Sequence, residues 1–379
     1  YGYGLTGIQD IAWKMTSIHT SIMQRQIFYA VGSSKPECLL MEPEVIQVSK
    51  ESIEAYENSL VGQPNPEDCA WIAVDGKYLA VGFLARTQFL ANRGLDELKY
   101  ERAIYKVLAA VGAIAEREAM PSGFSLSLGL LLPWGEYQDR ERFERLVAQA
   151  LANFNFRFQN FSVSLELFDC KPEGGGLFLV RRRQLGEAFN SQDTSVLVIG
   201  YRNASCLTVK RGSVIKGDTS DLGFVRLVEK VQQRTSGQKA ERLAPAIYKA
   251  GAKVQPKALN DLARSSTPAL RQEEVAQIAQ AVKFARADYW RALSNWLYNN
   301  VPSQLNEVII SGGTAGYLRS QLKEYFSYTA IAWIDELESK IQSTFGSSGP
   351  TASLSLRLTD AYGLFLFLSN KVAKVKASV

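Results

Sequence analysis

A chain of 379 residues is longer than a single hydrophobic core usually grows, so two domains or lobes are expected. With 46% hydrophobic and 21% charged residues, 28 Gly and 12 Pro, the composition excludes a disordered, collagen-like or repetitive protein. The net charge of +5, from 43 basic and 38 acidic residues, is a mild excess and only weak support for a nucleic-acid partner. The densest basic run, Arg181-Arg182-Arg183, reads most simply as a solvated surface patch. Cys38, Cys69, Cys170 and Cys206 form neither a CxxC nor a Cys/His pair, which argues against a zinc site and fits reduced thiols in a cytoplasmic protein. His19 is the single histidine, so Ser-His-Asp or Cys-His catalysis has one candidate base, and a structural role for it is the plainer reading. No apolar run reaches the roughly 18 residues needed to span a bilayer, and no signal peptide is visible. The chain starts at Tyr1 and not at Met, so a native segment is expected ahead of it.

Taken in order, the first third reads as β-rich with helical interruptions. Strands are expected at 26–31 and 45–48, a short helix or turn at 52–59, and a loop at 62–66. Two apolar β-rich runs, 70–74 and 78–82, flank Asp75-Gly76, one of the strongest local hairpin signals. From 97 to 118 the residues Leu98, Ala103, Ile104, Val107, Leu108, Val111 and Ile114 recur at helix spacing with charges opposite. A strand at 125–132 ends at Pro133, a charged helix follows at 139–152, and 154–168 alternates as a strand or hairpin. Pro172-Glu173-Gly174-Gly175-Gly176 is a turn.

The second half opens with β-rich runs at 196–199 and 205–209 around a turn at Gly200, then a hairpin turn at Arg211-Gly212. Helical spacing follows at 222–233, 240–250, 256–263 and 273–298. A buried strand at 308–311 leads into the glycine turn 312–316 and a helix at 317–326. A strand at 330–333, a Gly/Ser/Pro loop at 346–350, a helix at 358–372 and a basic tail with Lys371, Lys374 and Lys376 close the chain. No short repeat is present. A hairpin-rich stretch followed by helices does recur once in each half, as a duplicated two-lobed α/β protein would show.

Three places could carry chemistry. The turn Gly200, Tyr201, Arg202, Asn203 joins two strands and can lift N–H groups toward an anion, although most such hairpins bind nothing. Gly312, Gly313 and Thr314 lie between an apolar strand and a helix, where glycine permits close approach of a ligand. Neither a P-loop nor GxGxxG is present, and a tight turn without a ligand explains the glycines equally well. Glu173 sits on a turn, where a solvated glutamate is the plainer reading and a water-orienting carboxylate the functional one. Gly363, inside the last helical pattern, costs about 1 kcal/mol relative to Ala, which suggests close packing there.

In this order the pieces resemble the actin-like ATPase superfamily, specifically ParM/StbA-type bacterial and plasmid actin-like proteins, over nearly the whole chain. Leu79-Ala80-Val81-Gly82 with Ala85, then Leu98-Lys99-Tyr100-Glu101, looks like that family's "VG…A…LKYE" segment. The run from Leu128 to Pro133 looks like its "GLP" strand end, and Pro172-Glu173 falls where it positions the attacking water. Residues 196–205 resemble its second phosphate hairpin, Gly312-Gly313 its adenosine motif, and Thr359 to Gly363 its C-terminal "A-N/D-x-x-G" helix. The resemblance implies an α/β, actin-like (ribonuclease H-like) duplicated fold of two lobes with an interlobe nucleotide cleft. Lobe I would comprise 1–172 plus 350–379, and lobe II 173–349.

It further implies ATP or GTP with Mg²⁺ as cofactor, Gly312, Gly313 and Thr314 at adenosine and phosphate, Gly200 to Asn203 at the phosphates, and Glu173 as the catalytic residue. Its implied partners are further copies in a filament and a DNA-binding adaptor, for plasmid segregation or intracellular positioning. Two departures bear on activity. Val198 and Ser205 stand where the family has aspartates, and the first phosphate hairpin, DxGxxxTK, has no counterpart, so either its segment is missing ahead of Tyr1 or the protein never had it. Because phosphoryl transfer rests on positioning and charge stabilisation, these losses hit hydrolysis harder than nucleotide binding. A weak ATPase and a degenerate, non-hydrolysing scaffold both stay open. A metabolite kinase of the same fold would need an acidic base and a sugar-binding polar cluster that the sequence does not offer.

Overall fold

In the computed structural model the described residues are 12–20, 25–32, 34–91, 99–346 and 350–377. The chain divides into two units, Tyr1–Gly176 with Asp360–Val379, and Leu177–Thr359. The passages between them fall inside two helices, after Gly176 and after Thr359, where the sequence reading expects 172/173 and 349/350.

Unit 1 contains β1 (Ala12–Thr20), β2 (Arg25–Val31), β3 (Glu37–Met41), β4 (Val45–Val48), α1 (Lys50–Ser59), β5 (Trp71–Val74), β6 (Lys77–Val81), α2 (Phe83–Thr87) and α3 (Lys99–Arg117). It continues with β7 (Gly123–Leu132), α4 (Trp134–Tyr137), α5 (Arg140–Ala152), β8 (Phe154–Phe156) and β9 (Gln159–Pro172), and α6 (Gly175–Leu185) carries the chain onward. The strands form a nine-stranded sheet in the order β3-β2-β1-β7-β9-β8-β5-β6-β4. Asp75 and Gly76 both adopt positive φ, 51° and 72°, as the two-residue turn between β5 and β6 requires. The stripe read for α3 is the core: Ala103, Val107, Leu108, Val111 and Ile114 are buried with Phe143, Val147 and Leu151 of α5 and Leu126, Leu128 and Leu130 of β7.

A smaller cluster, Ile53, Trp71, Ala80, Leu84 and Ala85, lies under α1 and α2. Arg157, on the β8–β9 turn, closes it off by donating to both carboxylate oxygens of Glu57 and to Glu116 at 2.8–3.1 Å, so these charges are paired as they leave water.

Unit 2 contains a 3₁₀ turn (Gly186–Ser191), β10 (Thr194–Ile199), β11 (Ala204–Lys210), β12 (Ser213–Ser220), α7 (Phe224–Gln232), α8 (Ala240–Ala250), a second 3₁₀ turn (Pro256–Leu262) and α9 (Pro268–Asn300). Then come β13 (Glu307–Ser311), α10 (Gly313–Tyr317), α11 (Arg319–Tyr325), β14 (Ala330–Ala332), α12 (Asp335–Phe345) and α13 (Pro350–Ala377), whose second half belongs to unit 1. The helix read at 317–326 is α11, and most of the glycine turn read at 312–316 is itself a short helix, α10, the two meeting at Leu318.

The five-stranded sheet of unit 2 runs β12-β11-β10-β13-β14, with two antiparallel joints followed by two parallel ones. In unit 1, β3-β2-β1-β7-β9 has the same joints in the same order. The duplication expected from the sequence is therefore present in the strand pairing. It also corrects one expectation. An antiparallel hairpin, β1–β2, stands in unit 1 where β10–β11 stands in unit 2, so the hairpin is present and only the DxGxxxTK residues are lacking. Residues 1–4, 21–24, Leu98, residues 347–349 and the side chains of His19, Lys99, Tyr100 and Glu101 lie outside the described residues.

Candidate functional site

In unit 2 the candidate residues converge at the ends of β10 and β13. These strands are parallel and in register from Thr194↔Glu307 to Val198↔Ser311, so the turns that follow them, at Gly200 and Gly312, emerge side by side. Gly312 has φ 104°, and a Cβ there would lie 2.3 Å from the carbonyl oxygen of Ile199. Only glycine allows that approach. Thr314 Oγ1 donates to the carbonyl of Gly200 at 2.6 Å, tying the two turns together.

The β10–β11 turn is held from several sides. Gly200 N–H bonds to Asn203 O at 2.9 Å, while Phe224 and Val225, opening α7, donate to the carbonyls of Gly200 and Tyr201 at 3.1 and 2.9 Å. Gly223 admits this contact, since a Cβ on it would lie 2.2 Å from Tyr201 O. Arg202 is half-buried on the turn. Asn203 Nδ2 donates to Ser220 O at 3.1 Å, whereas its Oδ1 is buried and has no hydrogen-bond partner among the described residues. A buried acceptor left open suits a hydroxyl, a water or an ammonium group, and not a phosphate oxygen, which also only accepts.

The two positions where the resemblance expects aspartates are direct cross-strand partners, Val198↔Ser205. They belong to one lateral row, Thr219, Ser205, Val198, Ser311, on one face of the sheet. That row carries three hydroxyls and no carboxylate. Ser205 Oγ and Thr219 Oγ1 pair at 3.2 Å, and Ser311 Oγ lies 2.6 Å from Thr359 Oγ1. Among the described residues, no group of three or more His, Cys, Asp or Glu gathers as a directly held metal ion would need. The described side chains therefore do not fit a protein-ligated Mg²⁺.

Beside the glycine turn stands a wall the sequence did not reveal. Arg357, on α13, lies over Gly313, where a Cβ would come within 2.5 Å of its Nε. Its guanidinium carbon is 5.2 Å from the ring centre of Tyr248, which stacks on Tyr317 at 6.0 Å and 29°. Arg286 covers the Tyr317 ring at 4.9 Å, and burial lowers the pKa of its guanidinium. Tyr317 OH and Arg286 Nε are buried without hydrogen-bond partners among the described residues. These residues come from α8, α9, α10 and α13, and only the tertiary fold assembles them. Planar rings flanked by guanidinium groups can stack on a heteroaromatic base and attract an anion.

Glu173 belongs to unit 1. It is 6% exposed, which sets aside the solvated-turn reading. Its N–H donates to Leu132 O at 2.8 Å, and the next turn is held by Asp360, whose two carboxylate oxygens accept from Gly174 N at 2.6 Å and Gly176 N at 2.8 Å. Asp360 thus satisfies donors at the start of α6, where a negative charge is also favoured by the helix dipole.

No family model and no curated protein matches this chain. Solved structures do. The actin-like protein Alp7A matches 98% of this chain and 99% of its own, with TM-score 0.63 and 14% identity. The archaeal actin homolog Ta0583 covers 95% and 99% with TM-score 0.60 and 12% identity. A 15-stranded ParM filament from Clostridium botulinum covers 95% and 99% with TM-score 0.55 and 14% identity. Two units with the same five-strand pairing, matched end to end by such proteins, define the class: the chain has an actin-like fold. At these identities the likeness is one of fold.

Proposed function

We propose that this chain is an actin-like protein that assembles into filaments and binds a purine nucleotide, ATP or GTP, serving plasmid or DNA segregation or the positioning of intracellular cargo in the cytoplasm. The observation that carries this reading is the end-to-end likeness to filament-forming proteins, among them the ParM filament above and an Alp12 filament matched over 95% of this chain. Gly200, Tyr201, Arg202 and Asn203 with Gly312, Gly313 and Thr314 are the residues proposed for the nucleotide, and the Tyr248–Arg357 wall beside them suits its base. Mg²⁺ would arrive on the nucleotide's phosphates, because the described residues offer it no carboxylate cluster. A DNA-binding adaptor belongs to this proposal as the link to cargo.

A second reading, a scaffold whose filaments do not depend on hydrolysis, is favoured by the Val198–Ser205 pair. One experiment addresses both. Light scattering and negative-stain microscopy would follow assembly with ATP, GTP, a non-hydrolysable analogue and no nucleotide, alongside a phosphate-release assay. Polymer is expected with nucleotide. Its absence under every condition would overturn the filament proposal. Equal assembly with the analogue and no phosphate release would select the scaffold, and release that survives Glu173→Ala would remove Glu173 from the chemistry.

A further inference from the structure

The run Arg181-Arg182-Arg183 does not act as one patch. Arg181 is consumed by Glu307, to which it donates twice, at 2.9 and 2.6 Å. Arg182 instead lines a concavity of about 580 Å³ in unit 2, together with Asn190, Ser191, Asp193, Arg211, Gly212 and Ser213. The site sits where β10 begins and β11 turns into β12, whereas Gly200 lies where β10 ends. The 6 residues of β10, at about 3.3 Å each, separate the two ends by roughly 20 Å, so this is not part of the candidate nucleotide site.

Four observations make the concavity a place for an anion. Arg182 and Arg211 have no acidic partner among the described residues. The acid in the lining, Asp193, already faces Lys210 at 3.8 Å, so Arg182, Arg211, Lys210 and Asp193 sum to a local charge of about +2. Arg211 is held at φ 49°, in the left-handed region of a two-residue turn where Asn, Asp or Gly is favoured, so the backbone does not explain an arginine there. Finally, the turn is packed closely: a Cβ on Gly212 would lie 2.0 Å from Asn190 Oδ1, so the turn that presents Arg211 lies against the Asn190 side chain.

We infer that this concavity is a second ligand site, one that binds phosphate groups through Arg182 and Arg211. Guanidinium forks match phosphate oxygens two at a time, and Asn190 and Ser213 supply neutral polar groups beside them. Phosphate of this chemistry comes either as a small polyphosphate or as the backbone of a nucleic acid. The inference stands apart from the filament reading.

The test is titration of the full chain with pyrophosphate by calorimetry and with a short labelled DNA duplex by anisotropy. Saturable binding of at least one is expected, and which one identifies the source. Arg182→Ala and Arg211→Asn should each weaken it about tenfold. Arg211→Asn suits the turn better than arginine, so loss of binding in a variant at least as stable as the parent separates recognition from folding. Arg183→Ala removes an equal charge from an exposed neighbour and should change binding less than twofold. The proposal is overturned if neither probe binds, if the probe that binds the parent binds the Arg182 and Arg211 variants equally well, or if Arg183→Ala costs as much as Arg182→Ala.

Discussion

At the scale of single residues, the cysteines answer a question composition could only raise. Cys69, Cys170 and Cys206 are buried, and loss of hydration pushes their thiols from 9.0 up to about 11, 12 and 12. Such thiols are poor nucleophiles. They also couple folding to alkaline pH. In the unfolded chain they ionise near 9, whereas the folded chain keeps its protons, so the unfolded state gains as pH rises between 9 and about 12. Their contribution is fully present below pH 9 and is lost above it. Urea midpoints should therefore fall between about pH 8 and about pH 10, less steeply in Cys170→Ala, and an unchanged midpoint would contradict the burial. At this scale the sequence also showed that Val198 and Ser205 are not acidic. It could not show that they are cross-strand partners in a row of hydroxyls, nor that Asn203 Oδ1 is left without a donor, because pairing and burial are properties of the assembled sheet.

At the scale of elements, turn chemistry carried most of what was legible. Asp75-Gly76 and Arg211-Gly212 marked their hairpins correctly because two-residue turns demand positive φ and few residues tolerate it. β12 was not named because its sequence, Ser213 to Ser220, lies half-exposed at a sheet edge and shows no alternation. α12 carries acidic residues in its first turn, Asp335, Glu336 and Glu338, and Gly346 past its end, but Ile334 before it lies in the left-handed region and offers no side-chain cap, so its start is weakly marked in the sequence. The close packing suspected at Gly363 has its counterpart at Gly176, where α6 meets α13. A Cβ on Gly176 would lie 1.9 Å from Asp360 O and 2.8 Å from Leu364 N, both backbone atoms that cannot swing aside. Gly176→Ala should cost about 3 kcal/mol or more in urea denaturation. Gly135→Ala, in α4 with nothing within 4 Å, should stay within about 0.5 kcal/mol of the parent. Equal stability of the two variants would show that the helices do not approach as described.

At the scale of the whole molecule, the chain returns at its end to finish the unit it began. Tyr362 and Phe365 of α13 are buried in unit 1 against Phe28 of β2, with ring centres 5.0 and 6.1 Å from that ring and 5.9 Å from each other. Farther along, Lys371 donates to Asp169 at 3.0 Å, and Asp169 is 5% exposed. The helical pattern of 358–372 was plain in the sequence, but its apolar face does not say which sheet it covers, and only the resemblance assigned it to the first lobe. The assignment has a direct consequence. Phe365→Ala empties an aromatic site on the face of the sheet away from α3 and α5, and should cost about 3–5 kcal/mol. Ending the chain after Thr359 removes both rings, the Asp360 contacts at the start of α6 and one of the two lysines at Asp169, leaving a buried carboxylate less well paired. The shortened chain should lose cooperative thermal unfolding and become protease-sensitive across 25–176, whereas a shortened chain that melts as sharply as the parent would show that unit 1 closes without its final helix.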